Sequence, residues 1–192
     1  MRKLSTSDIK DLREYERERD EFRAEIIATK NRRRLNLGDL ISIVFENTDT
    51  MRFQIQEMAR AEKMLRDEQI AHEINTYNQL LPETGELSGT MFIEIDDQAA
   101  LREWLPRLFG VEHHVSFAVA GDRVSAREED AERLTREDVT SAVHYLKFAF
   151  TPDQQRAFAA GPVGIAIDHP EYRADITLSD EQRVELASDF TA

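Results

Sequence analysis

The chain has 192 residues, 41% hydrophobic and 33% charged, which is typical of a globular protein rather than a disordered one. Its net charge is −13: residues 1–36 hold 11 Lys and Arg against 8 Asp and Glu, a net +3, and the remainder holds 14 against 30, a net −16. The strong negative charge of residues 37–192 disfavours nucleic-acid binding. The absence of cysteine excludes a thiol nucleophile, a redox disulfide and a thiolate-held zinc or iron–sulfur centre.

The start of the chain is predicted to be helical. Apolar side chains recur every three or four residues over residues 7–33, which predicts one helix there. This helix ends in the basic cluster of Lys30 and Arg32 to Arg34. We interpret the cluster as positive charge that complements the helix dipole, with contact to a phosphate or an acidic partner as the alternative.

The rest of the chain is predicted to mix strands and helices. After a connector at 35–38, we predict a strand at 40–46, helices at about 50–66 and 69–81, a strand at 90–95 and a helix at 97–108. The second half is predicted to contain a hairpin from 113 with its turn at 121–122, a strand at 141–150, a helix at 151–161, strands at 162–170 and 173–178, and a last helix at 179–190.

This order indicates an α+β fold, in which N-terminal helices accompany a mostly antiparallel sheet contributed by the central and C-terminal parts. We expect a single domain over 1–192, with a helical N-terminal segment over 1–36 and an α+β body over 37–192. No stretch of the sequence has the apolar run that a membrane span needs, and the first residues lack the apolar core of a secretory signal. We therefore expect a cytoplasmic protein.

The first candidate site lies on the helix in FENTDTMRFQIQEMARAE (45–62). On a helical wheel Glu62 falls within the apolar stripe, where a carboxylate must be paired, hydrogen-bonded or protonated. Glu57 and Arg60 are spaced to pair locally, and Tyr77 on the next helix can hydrogen-bond Glu62. These four residues form a candidate polar site, in which Glu62 serves as a structural ion pair or hydrogen-bonded group, as a metal ligand or as an acid–base group; alternatively, Glu62 leaves the apolar stripe at the edge of the helix.

The second candidate site consists of histidines in the C-terminal half. His144 shares a face of its strand with apolar residues, and His169 lies beside Asp168 at the end of another strand. With His113 or His114 these residues offer imidazole and carboxylate ligands to a metal ion, and the candidate ligands are His114, His144 and His169. Their spacing matches no known metal motif, so a set of core histidines is the alternative.

Five segments of the chain resemble an uncharacterised bacterial family with a domain of unknown function. They are YERERDEFRAEIIATKNRRRLNLG, FENTDTMRFQIQEMARAE, HEINTYNQLLPETGELSGTMFIEI, VHYLKFAFT and IDHPEY, and they cover most of the chain. The resemblance implies no established chemistry and no cofactor. Genes of the family lie beside genes for rubrerythrin-like and iron–sulfur oxidoreductase-like proteins, which implies a role near cytoplasmic peroxide or electron-transfer metabolism.

The leading hypothesis is therefore a cytoplasmic accessory or interaction protein in a redox context, with an oxidoreductase or rubrerythrin-like partner. The alternative is a metal-binding protein or enzyme that uses Glu62 with Glu57, or a cluster of His144 and His169. We expect neither nucleic acid nor a membrane as a partner. Substrate, cofactor, reaction and oligomeric state do not follow from the sequence.

Overall fold

Helices and antiparallel strands make up the computed structural model, which describes residues 1–129 and 140–191. The helices of these residues are α1 (Leu12–Arg32), α2 (Thr48–Ala61), α3 (Asp67–Asn78), α4 (Gln98–Arg107), α5 (Pro152–Ala160) and α6 (Asp180–Ala187). Short 3-10 turns cover Thr6–Asp8, Val111–His114 and Ser188–Thr191. Among the helices of the described residues, none has the length and apolar character needed to cross a membrane.

The strands form two sheets. They are β1 (Arg34–Leu37), β2 (Ile41–Phe45), β3 (Glu86–Ile93), β4 (Val115–Val119), β5 (Asp122–Ser125), β6 (Arg127–Glu129), β7 (Val143–Ala149), β8 (Val163–His169) and β9 (Tyr172–Thr177). One sheet has the order β1-β2-β3-β7-β6 and the other has the order β5-β4-β8-β9, and neighbouring strands pair antiparallel. The predicted α+β fold is confirmed, with two sheets where we expected one.

The main hydrophobic core joins the two sheets through aromatic side chains. Phe117 of β4 is fully buried, and its ring lies 4.9 Å from that of Phe148 on β7 and 5.6 Å from that of Phe158 on α5. Each side chain of this size removes a large apolar area from water, which is the main favourable term in folding. A second, smaller core under α2 and α3 contains Ile55 and Leu81.

Two helices are shorter than the sequence predicted. Asp11 caps α1, because its carboxylate accepts hydrogen bonds from the next backbone amides, and the helix begins at Leu12 rather than at residue 7. At the end of α2, Lys63 is left-handed (φ 52°), so that helix ends at Ala61 rather than near residue 66.

The predicted connector at 35–38 is largely strand β1. After this strand the chain turns back through Gly38, which has the left-handed conformation (φ 68°), and pairs with β2.

A buried arginine fastens the C-terminal end of the chain to the first sheet. Arg33 is 1% exposed, and its guanidinium donates to Asp189, to Glu185 (3.1 Å) and to the backbone carbonyl of Phe45 at the end of β2 (2.8 Å). Arg33 lies at the C-cap of α1, as expected for a charge that complements the helix dipole, and in addition binds these buried partners. A buried arginine needs this many partners because taking its charge out of water is unfavourable unless the charge is paired.

We predict that Arg33→Met lowers the free energy of unfolding by about 3–5 kcal/mol, because it leaves the buried carboxylate of Asp189 without a countercharge. Urea denaturation measures the change. Arg32→Met is the matched control: Arg32 is 43% exposed and lies 3.4 Å from Glu185, and we expect a change of about 1 kcal/mol or less. Equal effects of the two substitutions would contradict the assigned role of Arg33.

Candidate metal centre

The predicted polar site on α2 is divided between two ion pairs with α1. Both carboxylate oxygens of Glu57 accept hydrogen bonds at 2.8 Å, one from Tyr15 and Arg19 and the other from Arg19 alone. Hydrogen bonding to Arg19 lowers the pKa of Glu57 below its ordinary value. Arg60 binds Glu16 of α1 at 2.7 Å instead of Glu57. Glu57 therefore holds α1 against α2 through both of its carboxylate oxygens.

Glu62 does not lie in the apolar interior. It is exposed and occupies the C-cap of α2, one residue beyond the last helical residue. The prediction that Glu62 is buried is wrong, because the helical wheel assumed that α2 continues past Ala61. Tyr77 on α3 is partly buried, and this burial raises its pKa, while a side-chain hydrogen bond with Gln54 acts in the opposite direction.

Two of the predicted histidines form a pair. The rings of His114 and His169 lie edge to face, 5.0 Å apart. Both nitrogens of His169 are hydrogen-bonded: Nδ1 accepts from the backbone amide of Glu171 (3.2 Å), and Nε2 contacts the backbone carbonyl of Phe109 (3.1 Å) and therefore donates to it. His114 Nδ1 contacts the backbone carbonyl of Asp168 at 2.8 Å. A metal ion could bind His169 only after one of these hydrogen bonds had broken.

His144 lies in a different cluster, together with two carboxylates that the sequence did not indicate. It is fully buried on β7, and its Nδ1 lies 2.5 Å from Glu128 and 4.0 Å from Glu112. The side chains of Glu112 and Glu128 are each only 2% exposed. His113 completes the group at the surface: its side chain is 65% exposed, and its Nε2 lies 3.5 Å from Glu112.

Strand register brings Glu128 to His144. Glu128 on β6 pairs with Leu146 on β7, so both side chains point to the same face of the sheet. His144 precedes Leu146 by two positions and therefore lies on that face too. The alternation of burial along β7 agrees with this assignment, since His144 and Leu146 are buried and the residue between them is not.

A short turn delivers the other two residues. Gly110 adopts the left-handed conformation (φ 83°) after α4, and the 3-10 turn Val111–His114 follows. Val111 is fully buried and anchors this turn in the core. The next residue, Glu112, is therefore carried below the surface beside His144, while His113 points outward.

The hydrogen bonds of His144 show where a proton lies. Its Nε2 lies 2.8 Å from the hydroxyl of Thr140 and 2.9 Å from the carbonyl of Ser141, and these two contacts fix the ring. At the other nitrogen, Nδ1 and the Glu128 carboxylate are 2.5 Å apart, a distance at which two lone pairs would repel. One proton therefore lies in this contact, and His144 holds Glu128 in a fixed orientation.

Glu112 is the unusual member of the cluster. Its Oε2 is buried and has no hydrogen-bond partner, and among the described side chains only Arg52 Nε shares this condition. An unpartnered buried oxygen of this kind destabilises a protein by about 1–3 kcal/mol. By contrast, Glu46 is also buried, and its two oxygens accept from Thr90 (2.7 Å) and Thr50 (2.6 Å).

Three residues of the cluster have the arrangement of a metal site. One ligand atom from each of Glu112, His113 and Glu128 lies within 4.8 Å of the other two. Ligand atoms at about 2.0–2.2 Å from an ion are at most about 4.4 Å apart, so a small inward movement of the side chains would complete the site. The exposed ring of His113 is the group best placed to make that movement.

Sequence reasoning identified His144 but not Glu112 or Glu128. The one local signal was the adjacency of Glu112 to His113, which is common in surface turns. Glu128 belongs to a three-residue strand at the edge of its sheet, too short for an alternating pattern. The histidines predicted to bind metal together are therefore divided between two places, and carboxylates join one of them.

Comparison with known proteins identifies relatives of unknown function. The profile of a family described as "Protein of unknown function (DUF3501)" matches residues 3–190. A crystal structure of a novel protein of unknown function from Burkholderia pseudomallei is 30% identical, covers 98% of this chain and 99% of its own, and superposes with a TM-score of 0.91. No curated protein matches the sequence.

Glu57 leads to a prediction about acid stability. Because its pKa is lowered in the folded state, its ionised form stabilises the protein at neutral pH, and this contribution is lost as the pH falls through the lowered pKa. Glu57→Gln is therefore expected to be less stable than the parent at pH 7, with a difference that narrows as the pH falls from about 5 to 3. Urea denaturation across this range measures it.

The matched control is Glu25→Gln, which removes a carboxylate from an exposed position of α1. It should follow the parent at every pH. A constant difference between Glu57→Gln and the parent over the whole range would contradict the stabilising role of the ionised carboxylate.

Proposed function

We propose that this chain, which belongs to the DUF3501 family of proteins of unknown function, binds a divalent transition-metal ion. The proposed ligands are Glu112, His113 and Glu128. The single observation that carries the proposal is the buried, unpartnered Oε2 of Glu112. Buried polar atoms are almost always hydrogen-bonded, so an exception calls for a partner such as a water molecule or an ion. A cation bound between the carboxylates would satisfy this oxygen.

The ligand types define the class of metal. One imidazole and two carboxylates form a mixed nitrogen and oxygen set, which suits zinc, iron(II) or manganese(II) rather than the all-oxygen sites of magnesium and calcium. Three protein ligands leave at least one position open to water or a small molecule, as in catalytic sites. Because only His113 is exposed, an ion would enter from its side.

His144 supports the site without being needed as a ligand. Its contact with Glu128 orients that carboxylate, and its own ring is fixed by the carbonyl of Ser141. Metal sites commonly depend on such an outer hydrogen bond, and its loss lowers affinity by about 10–100-fold. We assign His144 as a positioning residue, which changes the predicted role of this histidine from ligand to support.

The test is isothermal titration of the chelator-treated full chain with Zn²⁺ and, without oxygen, with Fe²⁺. We expect about one ion per chain, and an affinity at least about 100-fold lower in Glu112→Gln and Glu128→Gln, since each loses one of the three ligands. His144→Ala should reduce affinity by about 10–100-fold. The proposal would be wrong if neither ion bound at a stoichiometry near one, or if Glu112→Gln left the metal affinity unchanged.

Glu46→Gln is the control for loss of a buried carboxylate. Both oxygens of Glu46 are occupied by threonine hydroxyls, so its replacement should lower stability and leave metal affinity unchanged. Glu112→Gln should stay close to the parent in stability in the presence of chelator, because Oε2 of Glu112 accepts no hydrogen bond that the substitution would remove. This second measurement separates loss of the metal site from loss of the fold.

A second candidate is the accessory role in cytoplasmic peroxide or electron-transfer metabolism, with an oxidoreductase or rubrerythrin-like partner. It is supported by the implied gene neighbourhood and by a metal site of a class that includes redox-active ions. The candidate polar site of Glu57, Arg60, Glu62 and Tyr77, and a ligand role for His114 and His169, stay predictions.

We predict that affinity purification of the tagged full chain from native cells recovers an oxidoreductase or rubrerythrin-like protein at about equal stoichiometry, as a stable specific complex requires. The same purification with an unrelated tagged protein of similar charge provides the background. If neither kind of protein is enriched over that background, the accessory role is wrong, and the metal site is unaffected.

A further inference from the structure

We infer that the surface formed by the first turns of α1 and the end of α2 binds an acidic segment of another protein. Arg13, Arg17, Arg60 and Lys63 define this cationic surface, and together with Leu12, Glu16 and Ala61 they line an open groove of 790 Å³. This surface would be the place where the partner in the proposed accessory role binds, and its binding does not require a metal ion.

The charges of this surface are largely uncompensated. Within residues 1–129 and 140–191, no carboxylate forms an ion pair with Arg13, Arg17 or Lys63, and Arg60 alone is paired, with Glu16. Arg13 and Arg17 lie one helical turn apart and therefore point to the same side of α1. Such a concentration of positive charge is unusual on a chain whose net charge is −13.

An apolar groove adjoins the cationic surface. It has a volume of 180 Å³, and it shares Leu12 with the first groove; its other apolar side chains include Ile9, Met64 and Ile70, and its polar lining includes Lys10, Asp11 and Asp67. At its edge lies Leu65, which is 81% exposed, more than any other large hydrophobic residue of the described chain. Leu65 follows the left-handed turn at Lys63 that ends α2. Leu65 continues the apolar side chains of this groove to the surface, and a contiguous apolar area of this kind beside cations suits an interaction site.

Charge complementarity selects the partner. Residues 37–192 carry a net −16, so a long polyanion such as nucleic acid would be repelled by most of the molecule, while a short acidic segment would contact only the cationic surface. The exposed leucine and the apolar groove suit a segment that also carries an apolar side chain. Rim charges of this kind mainly accelerate and orient association, and the apolar contact slows dissociation.

The experiment uses the full chain and a fluorescent twelve-residue peptide of glutamates with one central leucine. We expect the peptide to bind at low salt, with about tenfold weaker binding when its glutamates are replaced by glutamines and again when Arg17→Glu and Lys63→Glu are combined in the protein. Leu65→Ser should weaken binding by about threefold to tenfold. Fluorescence anisotropy measures each affinity, and circular dichroism confirms that every variant is folded.

The matched control is Arg23→Glu combined with Arg102→Glu, which makes the same change in net charge at exposed positions outside the two grooves. With all variants compared at about 0.15 M salt, this variant should bind the peptide within about twofold of the parent, because charges more than about 8 Å from the peptide are then largely screened. Equal losses in the two double variants would reduce the effect to overall charge and overturn the inference.

Two other outcomes would also overturn it. Tighter binding of single-stranded DNA than of the peptide at the same salt would make this a nucleic-acid surface. Self-association of the chain that the Arg17→Glu and Lys63→Glu pair abolishes would identify a second copy as the occupant. If the peptide fails to bind while an oxidoreductase is still recovered from cells, the accessory role uses another surface.

Discussion

The structure depends on the burial of one charge. Arg33 lies at the junction of α1 and β1, yet its guanidinium is inside the protein, where it binds the last described turn of the chain and the end of β2. A charge in that position is tolerable only when every partner is in place. The C-terminal turn is therefore fixed against the first sheet, and the two sheets meet over the phenylalanines between them.

The same rule identifies the site. Arg33 and Glu46 are buried and their polar atoms are paired, so they stabilise the fold and are unavailable to a ligand. Glu112 is buried beside His144 and keeps one oxygen without a partner. The difference between a structural and a functional buried carboxylate is therefore whether the protein satisfies it. On the surface, unpaired cations on an acidic chain mark the docking site by the same reasoning.

Prediction succeeded where the determinants are local. The helix at α5 follows from a threonine cap, a proline at the first position and a glutamine that closes the capping box, and all of these are found in the structure. The burial of His144 followed from alternation along its strand. The predicted burial of Glu62 was wrong because a helical wheel assumes an unbroken helix. The left-handed conformation of Lys63, which ends α2, has no strong signal in the sequence.

The sequence by itself determined the α+β class, the positions of most helices and strands, and the absence of thiol chemistry, because these depend on composition, periodicity and caps between near neighbours. Only the tertiary structure decided that Glu57 pairs with Arg19, that Arg33 is internal, and that Glu112 and Glu128 meet His144. These contacts join residues far apart in the chain. Strand register and a turn after α4 bring Glu128 and Glu112 to His144, and one step in register would turn Glu128 to the other face of its sheet.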